Sequence, residues 1–241
     1  MKAKKLILLS LLAILLLSVV ACGGGEEEEA TPTPTPTPTP TNGTEGALPT
    51  LNLGDRWVYT LTSDGDRYTW TAEVTGQEMI GGKDCYVVDS SIDSSDEEFI
   101  TDAKEWFEKE TLWMIRMHSS GEYMGFTHLV SSDVSYEGLP LFPLEVGKEV
   151  EITETDTTTI TIMGETETQT KTRRSTYKVE KVEDITVAAG TFTCFKIVEY
   201  DEYDSAVGTT WYSDEVKIPY GVKIIDHRTG ETLELQYYSV R

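Results

Sequence analysis

From residue 48 onward the chain never sustains an apolar residue every three or four positions. Instead Trp, Tyr, Val, Ile and Thr recur in short runs. Turn signals such as Ser63-Asp64-Gly65-Asp66, Gly81-Gly82 and Arg228-Thr229-Gly230 separate them. Short β-branched and aromatic runs between turns predict strands and an all-β fold. Residues 56–62 and 67–74 predict a hairpin around Asp64-Gly65. Residues 149–182 alternate Thr or Ile with charged side chains. They predict a longer hairpin turning near Gly164, polar enough on both faces for its tip to stand in water. Residues 96–110 also allow an amphipathic helix, with Phe99, Ala103, Trp106 and Phe107 on one side. The corresponding part of the second half contains Pro219-Tyr220-Gly221, which interrupts any helix, so strands are favoured there too.

The two halves of this region carry the same landmarks in the same order. Leu51-Asn52-Leu53-Gly54-Asp55 is matched by Leu144-Glu145-Val146-Gly147-Lys148, and each precedes a hairpin. Gly81-Gly82-Lys83-Asp84-Cys85-Tyr86 is matched by Gly190-Thr191-Phe192-Thr193-Cys194-Phe195. Acidic loops follow, then Trp106-Phe107 and Trp211-Tyr212, then a closing apolar strand at 112–117 and at 222–225. The offsets vary, so small insertions are needed. The expected organisation is two copies of one β-unit, residues 48–137 and 138–241, in one exported domain.

Residues 1–21 have a different character. Lys2, Lys4 and Lys5 precede an apolar run over residues 6–20. That run is short for a membrane span and suits a secretory signal peptide. Val19-Val20-Ala21-Cys22 then resembles the lipobox of prokaryotic lipoproteins. The resemblance implies cleavage between Ala21 and Cys22 and a diacylglyceryl group on the Cys22 thiol, the nucleophilic group such chemistry needs. Two acyl chains would hold the protein stably to a membrane. Residues 22–47 read as a disordered linker: three glycines, four glutamates at 26–29 and five Thr-Pro pairs at 31–40 resist packing.

The chain carries 42 acidic and 20 basic residues, a net charge of -22. That balance excludes nucleic acid as a partner, because phosphates must be met by clustered Lys and Arg. A glycine-led strand, an Ala-Gly-Thr-Phe turn before the Cys strand, a Trp-Tyr pair and a final strand resemble prokaryotic exported lipoproteins of no assigned activity. Their domains are similar to the curved antiparallel half-barrels of lipoprotein carriers. The resemblance implies a curved antiparallel sheet or half-barrel with an apolar groove on its concave face. It carries over no catalytic residue. The expected partner is a hydrophobic small molecule in such a groove or, as the alternative, an envelope protein.

The residues that carry chemistry leave several alternatives open. Cys85 and Cys194 occupy matched positions, so they form either a disulfide or two buried thiols, each followed by an aromatic packing residue. His118, His128 and His227 fit no zinc-binding spacing and read as ordinary strand or loop residues. No nucleophile elbow, phosphate-binding loop or dinucleotide fingerprint occurs in the sequence, so no enzyme activity and no cofactor are expected, a hydrolase using surface carboxylates being the least supported alternative. Asp93, Asp96, Glu97, Asp201 and Asp204 sit on acidic loops and are candidate calcium ligands, or simply solvated surface. Trp57, Trp70, Trp106, Trp113 and Trp211 either fill the core or line a binding face.

Overall fold

The computed structural model describes residues 45–94, 100–123, 126–217 and 219–241. The signal, the lipobox with Ala21 and Cys22, the linker up to residue 44, and Asp96 and Glu97 lie outside the described residues. The strands are β1 (Arg56–Ser63), β2 (Asp66–Ile80), β3 (Lys83–Ser94), β4 (Ile100–Glu108), β5 (Met114–Tyr123) and β6 (Phe126–Gly138). The second half adds β7 (Glu149–Ile162), β8 (Glu165–Val187), β9 (Gly190–Tyr200), β10 (Ala206–Tyr212), β11 (Lys223–Asp226) and β12 (Thr232–Ser239). A 3₁₀ turn, Asp214–Val216, follows β10. The segment 96–110 that allowed a helix contributes strand β4.

Each strand pairs antiparallel with its neighbours in sequence, and β12 returns to pair with β1, so the sheet is a closed barrel. The curved antiparallel sheet expected from sequence is present, and its two ends meet. Closure is made by pairs such as Trp57 with Tyr238 and Leu61 with Leu233. Closing a sheet removes the exposed edges that an open one must protect.

Local turn chemistry explains the hairpins. Asp64 and Gly65 (φ 51 and 87) join β1 to β2, Gly81 and Gly82 (58 and 88) join β2 to β3, and Met163 and Gly164 (55 and 83) join β7 to β8. Two successive positive φ angles match the twist of two-residue hairpins. Between turns, strict alternation decides which face is buried. In β1, Trp57, Tyr59, Leu61 and Ser63 are buried while the intervening residues are not. Register carries that inward face round the ring to Trp70, Ala72 and Val74 on β2, then Val88, Ser90 and Ile92 on β3. Glu105 and Phe107 follow on β4.

The two halves also repeat their bonds. Gly54 N–H donates to Val74 O and Gly147 N–H to Val179 O, both at 2.8 Å; Val74 N–H donates to Asp55 O and Val179 N–H to Lys148 O, both at 2.9 Å. A bulge lies beside Val74 in the β2–β3 ladder and another beside Val179 in the β8–β9 ladder. The indole Nε1–H of Trp106 donates to Glu78 and that of Trp211 to Glu183, each at 2.9 Å. Those glutamates stand opposite Cys85 and Cys194 respectively. Gly46, placed in the linker by composition, exchanges two backbone hydrogen bonds with Leu144 at 2.8 Å and belongs to the same compact unit as the strands.

Candidate functional site: the barrel interior

Two contrasting walls face the barrel interior. The first is aromatic. Trp70 stacks on Tyr59 with centroids 5.3 Å apart, and the Tyr220 ring stands edge-on to Trp70 at 4.5 Å and to Phe107 at 5.4 Å. Tyr220 comes from the β10–β11 connection, which is drawn inward. Tyr59 donates its hydroxyl to Gly221 O at 3.0 Å, and Trp57 donates its indole N–H to Val216 O at 2.8 Å. Gly221 permits this close passage. Its φ is 109°, and a Cβ there would lie 2.7 Å from the Thr210 methyl.

The Tyr220 hydroxyl donates to Glu105, and Ser90 Oγ donates to the other Glu105 oxygen at 2.8 Å. Glu105 is 3% exposed. Burial pushes its carboxyl up to about 7, against the two donors, which favour the ionised form. A carboxyl poised near neutrality attracts a catalytic reading. Here both oxygens are held by hydroxyl donors, one from Tyr220 and one from Ser90, so Glu105 ties the inward connection to β4.

The second wall is charged. Arg173 on β8 pairs with Glu154 on β7. Ser175 Oγ donates to Glu199 on β9 at 2.8 Å. Asp156 accepts from Ser132 Oγ at 2.7 Å and from Thr158 Oγ1 at 2.6 Å. Lys171 stands opposite Asp156 in the β7–β8 ladder. Burial raises the Glu154 carboxyl, opposed by the neighbouring Arg173 guanidinium, and it raises the Tyr136 and Tyr177 hydroxyls well above their usual value. The Tyr136 hydroxyl donates to Met114 O at 3.1 Å. Three carboxylates and a guanidinium therefore share the inward face of β7–β9, opposite in character to the aromatic wall. Trp70, Ser119, Glu154 and Thr158 face inward yet remain half-buried, so solvent still reaches this surface.

Sequence-predicted residues take the following places. Cys85 and Cys194 are both free and buried, so of the two alternatives the structure has the unbridged one. β3 and β9 are six positions apart in a ring of twelve. At about 4.8 Å per strand they stand on opposite walls, far beyond the ~7 Å a disulfide tolerates. Cys85 packs instead with Val87, Trp106 and Ile115, and burial pushes the Cys194 thiol up to about 12. The histidines are scattered. His118 stands edge-on to Trp106 at 5.0 Å, His128 is buried on β6 with its pKa lowered by desolvation, and His227 Nε2 bonds Thr209 Oγ1 at 2.8 Å.

Of the calcium candidates within the described residues, Asp93 lies on β3. The Asp201 Oδ1 accepts the backbone N–H groups of Tyr203 and Ser205, both at 2.9 Å, so it orders its own loop. Asp204 takes the left-handed position of that loop, with φ 59. Among the described residues no group of three or more potential ligands converges. The tryptophans divide: Trp57 is wholly core, Trp70 belongs to the aromatic wall, and Trp106 packs in the Cys85 cluster on the opposite sheet face. Trp113 lies against Tyr136, with centroids 4.7 Å apart.

The inward polar residues Glu105, Tyr220, Glu154, Asp156, Arg173 and Glu199 were not singled out from sequence. Glu105 left a trace, because it shares a strand face with Ala103 and Phe107. Glu154, Asp156 and Arg173 sit in strands whose two faces are both polar, where alternation gives no direction; Tyr220 lies in a connection, and Glu199 at the end of β9.

The described residues contain no helix long and apolar enough to cross a membrane. The outward strand faces carry Lys104, Arg116, Asp133, Glu151 and Arg174. A membrane-spanning barrel instead needs an apolar outer band about 25 Å tall.

None of the curated proteins matches this chain. Among solved structures, the chain is similar to a candidate exported protein with a YmcC-like fold from Bacteroides fragilis. That match has 9% identity and a TM-score of 0.38, over 81% of this chain and 100% of the other. It is also similar to a candidate lipoprotein from Parabacteroides distasonis, at 12% identity and a TM-score of 0.33, over 80% of this chain and 99% of the other. Residues 54–218 match the DUF3108-like family, which is more than half of the chain, and the protein belongs to that family.

Proposed function

We propose that the protein is an exported lipoprotein, anchored through lipid on Cys22, whose barrel binds a hydrophobic ligand that also carries a polar end. The observation that carries the ligand reading is the division of the inward surface. Trp70, half-buried against the Tyr220 ring, offers apolar area on one side, and Glu154, Arg173 and Glu199 offer charge on the other. Ligand sites are commonly apolar with a few placed polar groups that orient the guest. The carboxylate excess on that wall favours a polar end that is neutral or cationic over an anionic one. The barrel is read as non-catalytic.

The anchor rests on the sequence of residues 1–22. The same reading takes the domain as two copies of one six-strand unit. Its support is the paired bonds of Gly54 with Gly147 and of Trp106 with Trp211.

Native mass spectrometry of the protein extracted from its host tests the ligand. A co-purifying amphiphile is the expected result, and a barrel that is always empty removes the ligand reading. A second reading, a display or interaction protein of the cell envelope, is favoured by the dry packing of Trp57, Tyr59, Val74, Val88 and Leu235. It would then be the one to pursue. A Cys22→Ala variant tests the anchor: it should leave the detergent phase, and if it does not, the lipid claim fails. No turnover is expected in a screen of glycans and esters.

A further inference from the structure

The barrel wall has a step between β8 and β9. Residues 165–178 of β8 all pair with β7, but the β8–β9 ladder begins only at Thr176, opposite Tyr200. Over residues 165–175, therefore, β8 has no second neighbour among the described residues. Its outer backbone N–H and C=O groups form an open edge of the kind that accepts another strand. Residues 165–170 are exposed on both faces, and no proline interrupts the stretch.

The side chains along this edge form a charge-reversed palindrome. Residues 165–173 read Glu-Thr-Glu-Thr-Gln-Thr-Lys-Thr-Arg, centred on Gln169. We propose that this edge pairs antiparallel with the same edge of a second copy of the chain, about a two-fold axis through Gln169. In that register Glu167 stands opposite Lys171 of the other copy, and Glu165 opposite Arg173. Thr166 then meets Thr172 and Thr168 meets Thr170, each contact occurring twice. Opposite charges directly across a ladder stabilise it and like charges oppose it. Moving the register by two residues toward Thr168 sets Glu167 against Gln169 and leaves Glu165–Lys171 as the remaining opposite-charge pair, half of those in the proposed register. A parallel in-register pairing sets every charge against itself. A two-fold contact is self-complementary by construction, which is what the palindrome supplies. Arg173 keeps its bond to Glu154 within the barrel wall, and the specificity rests on Glu167 and Lys171.

The threonine face adds a second, independent match. β7 and β8 already carry a ladder of hydroxyl pairs: Thr155 with Thr172 at 3.0 Å, Thr157 with Thr170 at 3.1 Å, Thr159 with Thr168 at 3.0 Å and Thr161 with Thr166 at 2.9 Å. Each such pair uses one of its two hydroxyl protons, and the other remains to donate. Pairing two β8 edges sets the rows side by side and extends the ladder from two strands to four.

The test is charge exchange in the full chain, read by native mass spectrometry after release from detergent over a range of protein concentrations. The wild type should pass from one copy to two as concentration rises. Glu167→Lys alone puts Lys opposite Lys171, and Lys171→Glu alone puts Glu opposite Glu167. Each should weaken association at least tenfold. An equimolar mixture of these two variants should recover the dimer, and so should the double variant E167K/K171E. Glu167 is exposed, Lys171 is half-buried opposite Asp156, and circular dichroism of each variant should match wild type, which separates lost pairing from lost fold. Gln169→Cys should cross-link two chains under oxidation, whereas Glu165→Cys should not. A wild type that stays single at every concentration overturns the proposal: the edge charges then serve only to repel strands. So does a dimer indifferent to the single reversals, or a mixture that fails to associate.

Discussion

Tyr220 bonds Glu105 although 115 positions of sequence and five steps of the ring separate their elements. A loop side chain from the β10–β11 side thus crosses the barrel and is fastened to β4. Tyr220→Phe keeps the ring contacts with Trp70 and Phe107 and deletes only the donor. The loss leaves a buried acceptor short of one bond, and a cost of about 1–3 kcal/mol is expected. Urea unfolding of the variant against wild type measures it. An unchanged midpoint would show that the bond is idle.

Glu105 makes stability depend on pH in a definite direction. Its carboxyl is raised in the fold to about 7 from 4.5. Below pH 4.5 both folded and unfolded states hold the proton, and the group imposes no penalty. Between 4.5 and 7 the unfolded chain releases the proton while the fold retains it, so stability falls as pH rises, and it levels off above 7. This group alone should account for roughly 3 kcal/mol of that decline. Glu105→Gln removes the titration. Subtracting the two curves of unfolding free energy against pH should isolate a step in that window. Parallel curves would contradict it.

The buried thiols should be silent in the folded protein. In a Cys22→Ala background, neither Cys85 nor Cys194 should react with a thiol reagent at pH 8 until the chain unfolds, because burial raises both thiols and withholds the thiolate. Trp106→Ala uncovers Cys85 in its cluster with Val87 and Ile115, and one thiol should then label at a measurable rate. Trp106→Phe keeps most of the cover and should label far more slowly. Equal rates in the two variants would place the protection elsewhere.

Glycine substitutions separate two kinds of cost. Gly54→Ala and Gly147→Ala each force alanine to a φ near +85°, where no neighbouring atom is closer than 3.8 Å at Gly54 and none lies within 4 Å at Gly147. Each should destabilise by about 1 kcal/mol, and by similar amounts at the two matched sites. Gly138→Ala adds a collision, since a Cβ there would lie 2.4 Å from the Glu151 carbonyl oxygen. It should cost clearly more. Thermal unfolding of the three variants ranks them, and a Gly138 effect no larger than the others would refute the steric argument.

What could be read in advance follows the range of the interaction. Asp64-Gly65 and Met163-Gly164 set their hairpins through local φ preferences, and both turns stand where the sequence puts them. The order of Gly54, Cys85 and Trp106, repeated at Gly147, Cys194 and Trp211, was also visible, because those landmarks are short and chemically distinct. Closure was not visible. The pairing of Trp57 with Tyr238 depends on the accumulated twist and register of all the intervening strands. The charged wall was hidden for a different reason. An inward face that carries Glu154, Asp156 and Arg173 has the alternation of a solvated one, so β7 and β8 read as polar on both sides. The Tyr220 contact lay out of reach because it belongs to a connection and not to a periodic element.

Because every strand neighbours the next one in sequence and the last neighbours the first, the ring itself has no beginning. The C-terminus lies where the ring starts: Arg241 N–H donates to Asp55 Oδ1 at 2.9 Å, and Asn52 Nδ2 donates to Arg241 O at 2.8 Å. The described strands form a circle cut once, and the cut between β12 and β1 is topologically equivalent to one between β6 and β7. A permuted chain running β7 to β12 and then β1 to β6 would trace the same barrel with its ends at residues 139–148. The two halves would exchange places in the sequence without changing places in space.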